Sequence, residues 1–284
     1  MSELKGTGNN DICWRPNGGY TPVAPVNNMT TSLRSCVTAL AILCPAAAFA
    51  QADVKVFSGG AMSEPVKAVG QAFARASKNR ITYVVDTTGS LQKKLAAGDK
   101  ADVIVVTSAA IDALEKANLV VKGTKVDLAR GLIGVGVRAG APSPDLSSTD
   151  TFKAALLAAK SVSYVNPASG GTSGTYFEGL LGRMGIAEQM RSKIVYRNQG
   201  SEVADAVAKG EAEIGITFTS ELAPNTGVKV AGTLPAAVQS PTTYAAALVA
   251  GAANEAAGRA YLRSLAGVEG RAAITKAGLE ALAR

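Results

Sequence analysis

The chain has 284 residues, of which 47% are hydrophobic and 18% charged, with a formal net charge of +7. That balance belongs to a globular protein of one large or two medium domains, and it excludes disordered, collagen-like and coiled-coil chains. Histidine is absent, which excludes Ser-His-Asp and Cys-His catalysis and imidazole metal sites, and aromatics at 5% leave little for stacking nucleic-acid bases.

Residues 1–28 carry no regular hydrophobic periodicity and read as an over-called extension upstream of Met29. Residues 29–50 read as a secretory signal. Arg34 lies in the short basic region, an apolar stretch follows, and Ala48 and Ala50 frame a cleavage site after Ala50. The stretch is too short and too Ala-rich to span a membrane. Cys44 follows Leu43 and precedes Pro45, a context that excludes a lipoprotein cysteine. Cleavage would remove all three cysteines and the single tryptophan. The mature chain would then have no disulfide and no thiol nucleophile, and a metal would find oxygen ligands alone. No metal site and no cofactor are expected. The leader holds three of the 29 basic and two of the 22 acidic residues, so the mature net charge is +6. With Lys and Arg dispersed, this excess suits an anionic small ligand or a solvated surface, and nucleic acid is not expected as a partner.

Along the mature chain, short apolar strands are expected at 54–57, 81–85, 103–106, 132–137, 162–165, 194–196, 214–218 and 245–249. Between them, amphipathic runs predict helices at 63–77, 90–97, 109–117, 148–159, 176–184 and 203–209, with one helical run over 252–282. Such alternation predicts an α/β protein with largely parallel sheets. Residues 95–107 echo residues 207–219. Each has a helix end, a Gly cap (Gly98, Gly210), an acidic turn and a buried strand. The economical reading is two similar Rossmann-like lobes with a ligand cleft between them. Lobe 1 would take 53–131 plus 245–284 and lobe 2 would take 132–244, with crossing hinge segments at 132–137 and 245–249.

Four loops, at 57–65, 86–90, 166–176 and 199–203, each follow a strand and open a helix, the place where open α/β sheets bind ligands. Their small residues admit a ligand to the backbone, helix starts offer N–H groups to negative charge, and hydroxyls add uncharged donors. The candidate ligand-binding residues are Ser58, Gly60, Ala61 and Met62; Thr88, Gly89 and Ser90; Ser169, Gly171, Thr172 and Ser173; Ser201 and Val203; and Phe218 at the end of a strand. The third loop lacks the Gly-Lys-Ser/Thr ending of a P-loop, and Gly134 and Gly136 lack the third glycine of a dinucleotide turn. The pairs Asp99/Asp102 and Glu211/Glu213 read as solvated turn acids, and Tyr244 and Phe218 as strand residues at the cleft edge.

The chain resembles the periplasmic molybdate-binding protein family of ABC importers over most of residues 53–284. The resemblance rests on Val-Phe-Ser-Gly-Gly-Ala-Met at 56–62, Thr-Thr-Gly-Ser-Leu at 87–91, Ala-Gly-Asp-Lys-Ala-Asp-Val at 97–103, the stretch from Asn166-Pro167 to Gly174-Thr175-Tyr176, and Gly-Val-Lys-Val at 227–230. It implies the type II periplasmic binding fold, two α/β lobes closing like a hinged trap on a tetrahedral oxyanion held by uncharged donors. By the same resemblance the family's first-loop serine falls at Ala61 and its second-loop serine at Thr88. A third-loop backbone donor falls near Ser173 in a loop one residue longer, the fourth-loop amide falls at Val203, and the oxyanion-binding tyrosine falls at Phe218. Two hydroxyl donors are therefore missing. Each lost hydrogen bond to a charged partner is worth about 1.5–3 kcal/mol, which points to a larger anion such as an organic carboxylate. Molybdate or tungstate would need replacement donors from Ser58, Ser169 or Thr172.

The function expected is that of an extracytoplasmic solute-binding protein, exported to the periplasm and not itself membrane-spanning, that captures a small anion for an ABC permease. A sensor subunit presenting its ligand to a membrane kinase would read the same in sequence. The alternative is an enzyme, because some relatives of this family are aconitate isomerases. In that case Glu202, Asp86, Tyr244 and Glu221 are the base candidates by loop position, with Arg197 or Arg138 as carboxylate clamps.

Overall fold

The computed structural model describes residues 52–283. The expected extension and leader over 1–50 lie outside the described residues. Strand β1 (Asp53–Gly59) leads through a 3₁₀ turn (Gly60–Met62) into α1 (Ser63–Ser77), β2 (Arg80–Asp86) into α2 (Thr88–Ala96), and β3 (Val103–Thr107) into α3 (Ser108–Lys116). After β4 (Val126–Gly131) come β5 (Ile133–Arg138), α4 (Thr149–Ala158), β6 (Val162–Val165), α5 (Thr172–Arg183), α6 (Ala187–Met190) and β7 (Ile194–Arg197). The chain continues with α7 (Gly200–Lys209), β8 (Ile214–Phe218), α8 (Thr219–Leu222) and β9 (Val228–Thr233). It ends with β10 (Thr242–Leu248), α9 (Glu255–Ala266), α10 (Val268–Lys276) and β11 (Glu280–Ala281).

Two sheets result, in the orders β11-β4-β10-β3-β1-β2 and β7-β6-β8-β5-β9. The same plan builds both. Three parallel strands (β2-β1-β3 and β7-β6-β8) are wound by helices, and a strand from the far end of the connection lies antiparallel beside the third, β10 on β3 and β5 on β8. The echo between 95–107 and 207–219 falls on corresponding pieces, α2 into β3 and α7 into β8. Parallel strands covered on both faces explain the unbroken apolar runs. In the first sheet Val54, Val56, Val103 and Val105 join a cluster with Val66, Tyr261 and Leu265, whereas Phe57, Ile104 and Val106 join another with Leu91, Ile111 and Leu114.

Several expectations need correction. The sheets are mixed rather than purely parallel: β10 and β11 of the first and β5 of the second run against the other strands, so β4 and β9 pair antiparallel with β10 and β5 while pointing the same way as the parallel strands. Strands β4 and β9 were not expected; Asp127, Arg130 and Lys229 break their apolar runs, as suits strands nearer sheet edges. The crossings between sheets are at Leu132 and over 234–241, so the strands at 132–137 and 245–249 each lie within one sheet. The C-terminal run is two helices, α9 ending and α10 beginning at the extended Gly267, followed by a short strand on β4.

Asp102 also departs from its reading as a solvated turn acid. It is 3% exposed, with Oδ2 accepting from the Lys55 N–H at 2.8 Å and Oδ1 from the Asn254 N–H at 2.7 Å. One carboxylate thus fastens β1 to the start of α9, both otherwise left with unsatisfied amides. Asp102→Ala would strand those donors and is expected to cost about 2–4 kcal/mol of stability, read as a lower midpoint in urea unfolding at an unchanged slope; an unchanged midpoint would contradict this role.

Candidate functional site

The carboxyl ends of β1, β2, β6 and β7 all turn directly into helices, and these turns meet around a cavity of about 30 Å³. Its polar wall is made by Gly60 and Ala61 of the 3₁₀ turn, Thr88 at the start of α2, Thr172 and Ser173 at the start of α5, and Gly200 at the start of α7. The first N–H groups of a helix have no partner within it and sit at the positive end of its dipole. The wall therefore favours negative charge. Its apolar part is Val165, Phe218 and Tyr244, the last two with ring centroids 5.5 Å apart, edge to face.

The lobes meet at the rim. Gly89 N–H donates to Gly170 O at 3.1 Å, and Thr87 Oγ1 donates to Ser169 O at 2.5 Å while accepting from Ser90 N–H as the cap of α2. Ser220 Oγ donates to Ala61 O at 2.9 Å. A β-carbon on Gly89 would stand 2.8 Å from Gly170 Cα, so the approach requires glycine there.

One carboxyl occupies the middle of this arrangement. Glu221, in α8, lies so close to Gly60 and Gly200 that a methyl group on either would overlap its carboxyl. Thr217 Oγ1 donates to Glu221 Oε2 at 2.5 Å, and Ser173 Oγ lies 3.3 Å from Thr217 Oγ1. Burial pushes the Glu221 pKa up to about 7, against hydrogen bonds from Thr217 and the Phe218 backbone that act to lower it. Burial also raises the Tyr244 phenol well above its ordinary value, and the Glu221 charge adds to that. On its other side Glu221 borders a vestibule of about 590 Å³, where Lys67 is paired with Glu64 at 3.4 Å.

Of the residues singled out by sequence, Gly60, Ala61, Thr88, Gly171, Thr172, Ser173 and Phe218 line the cavity. Gly89 and Ser169 lie on the interlobe seam, and Ser201 lines the vestibule. Ser58 is buried with its hydroxyl on Gly59 O, Met62 and Val203 belong to the interior, and the Ser90 amide is held by the Thr87 cap. Among the base candidates, Asp86 and Tyr244 line the cavity, Asp86 accepting from Thr87 N–H at 2.8 Å and facing Lys94 at 3.8 Å. Glu202 is turned back onto the Asn198 and Gln199 amides at the start of α7. Arg197 is held by Glu211 and the Tyr196 carbonyl, and Arg138 lies against Gly210. Thr217, Thr87 and Gly200 were not singled out. Glu221, expected as a base candidate by its loop position, also lines the cavity. Among the described residues, no three or more acidic or cysteine side chains are grouped to hold a metal ion.

A family model described as bacterial extracellular solute-binding protein matches residues 54–280. An aconitate isomerase from a Pseudomonas species is 32% identical over 231 residues, 79% of this chain and 86% of that protein. The molybdate-binding protein ModA of Haemophilus influenzae is 25% identical over 224 residues, 76% of this chain and 85% of its own. Among solved structures, the periplasmic molybdate-binding protein of Azotobacter vinelandii matches with a TM-score of 0.68 at 18% identity, covering 81% of this chain and all of that one. That last likeness is one of fold, and it agrees with the two-lobed α/β architecture of type II periplasmic binding proteins.

Glu221 gives the site a pH signature. A carboxyl whose pKa is near 4.5 when unfolded and about 7 when folded binds its proton more tightly in the native state. The stabilisation is complete below about pH 4.5 and lost as pH rises through about 7. Urea unfolding is therefore expected to show wild-type stability declining over that window relative to Glu221→Gln; parallel curves for the two proteins would contradict the assignment.

Proposed function

The chain belongs to the bacterial extracellular solute-binding protein family, and from that premise we propose that its cleft captures a small organic carboxylate in the periplasm for an ABC importer. The observation that carries this reading is the Glu221 carboxyl standing among the helix starts, beside Ala61 and Phe218. A fully ionised tetrahedral oxyanion would meet a like charge there, and two unit charges about 4 Å apart repel by roughly 4 kcal/mol at a near-surface effective dielectric. The hydroxyls that would compensate are absent at Ala61 and Phe218. A carboxylate ligand can share a proton with Glu221, lay its carbon skeleton over Phe218 and Tyr244, and extend towards the vestibule. The vestibule's volume of about 590 Å³ lies in the range of small-molecule sites. Export rests on the leader expected to end at Ala50, and capture on closure of the lobes about their crossings.

A second reading is favoured by the same residue and by the similarity to an aconitate isomerase. A carboxyl with a pKa of about 7, enclosed in an anion pocket, is suited to general acid–base work at neutral pH. Glu221 would take a proton from the methylene group of cis-aconitate and return it to the former vinylic carbon. The double bond moves by one position, and atoms and charge balance without a cofactor.

In a thermal-shift series, citrate and cis-aconitate are expected to raise the melting temperature, with molybdate, tungstate, sulfate and phosphate giving little; a strong response to molybdate alone would overturn the carboxylate reading. Incubation with cis-aconitate, followed by NMR for the trans isomer, separates the two readings. Turnover that Glu221→Gln abolishes while cis-aconitate still raises the melting temperature assigns the isomerase, and turnover no greater than a protein-free blank leaves capture alone.

A further inference from the structure

We infer that Ser173, Thr217 and Glu221 form a hydroxyl relay through which the cleft takes up one proton together with its anion. The inference rests on the cleft being an anion site and adds a rule for when it binds. Ser173 and Thr217 are 2% and 0% exposed, so their hydroxyl protons must be directed at one another, at Glu221 or into the cavity. An ionised Glu221 can only accept. Thr217 must then donate to it across the 2.5 Å contact, and Ser173 donates to Thr217 across 3.3 Å. In that state the cavity faces a carboxylate and a serine whose proton points away.

Protonation reverses the chain. Glu221 then donates to Thr217, Thr217 donates to Ser173, and the Ser173 proton turns into the cavity beside the start of α5. One proton thus removes a negative charge from the site and adds a donor to it. Both changes favour an anion, so the anion-bound form should hold the proton more tightly than the empty one. The charged or titratable groups facing Glu221 are Asp86 at the end of β2, Glu64 and Lys67 on α1, Asp205 on α7 and the Tyr244 phenol on β10. Lys67 is the cation of this set and is engaged by Glu64. Thr217 acts here as a positioning residue, setting the direction of the Ser173 donor through its own hydroxyl.

Calorimetric titration with citrate at pH 6 and pH 8, in buffers of different ionisation enthalpy, reads the proton directly. At pH 8 the wild type is expected to take up close to one proton per citrate, and its affinity should fall about tenfold per pH unit above about 7. Glu221→Gln should bind citrate without proton uptake and with a flat pH profile. Thr217→Val, checked for an unchanged melting profile, should bind at least tenfold more weakly at pH 6. Citrate binding by the wild type without uptake, uptake that persists in Glu221→Gln, or undiminished affinity in Thr217→Val overturns the relay while the anion site stands. Failure of citrate to bind at either pH overturns the anion reading itself, and the relay with it.

Discussion

The positive ends of three helices and a 3₁₀ turn face one another across a narrow seam, and this crowding favours a negative charge between them. Thr88, Thr172, Ser173 and Gly200 open α2, α5 and α7, and their walls meet at a cavity of about 30 Å³, room for about two water molecules. The acid present is the protein's own. Glu221 reaches from α8 to lie over Gly60 and Gly200, and it meets the need of the helix starts at the expense of its own hydration. Any external anion must displace this tethered carboxyl or share a proton with it.

The fold explains why the turns converge. In each sheet three parallel strands end on the same side, and the loops that leave them open the helices of that side. The antiparallel partner of the third strand comes from beyond the connection between sheets, β10 in one case and β5 in the other. Tyr244 on β10 and Phe218 on β8 carry the apolar wall. Closure then depends on small residues: a β-carbon on Gly89 or Gly170 would stand 2.8 or 2.7 Å from the other's Cα, so bulk at either would hold the lobes apart.

Much of this was legible in the sequence, and for physical reasons. Strands buried on both faces leave unbroken apolar runs, so 162–165 and 214–218 were read to the residue, as was the amphipathic helix 63–77. The four Gly- and hydroxyl-rich loops stood out because close approach to a ligand or another backbone needs small residues. Strands β4, next to the edge, and β9, at the edge, were not visible, since their charged residues break the pattern that the central strands keep. Side-chain direction was also hidden. Glu202 and Glu221 lie on equally plausible loops, yet one turns back to cap α7 and the other enters the cavity. The burial of Asp102 likewise depends on two amides far apart in sequence, Lys55 and Asn254, which no local pattern announces.

Amides from both lobes hold one ligand beside Glu221. Hydrogen–deuterium exchange with and without saturating citrate tests it most directly. Simultaneous slowing of exchange is expected at 60–61 and 88–89 in one lobe and at 172–173 and 200–201 in the other, whereas slowing confined to a single lobe, or at sites remote from these turns, would rule out a ligand shared between the lobes.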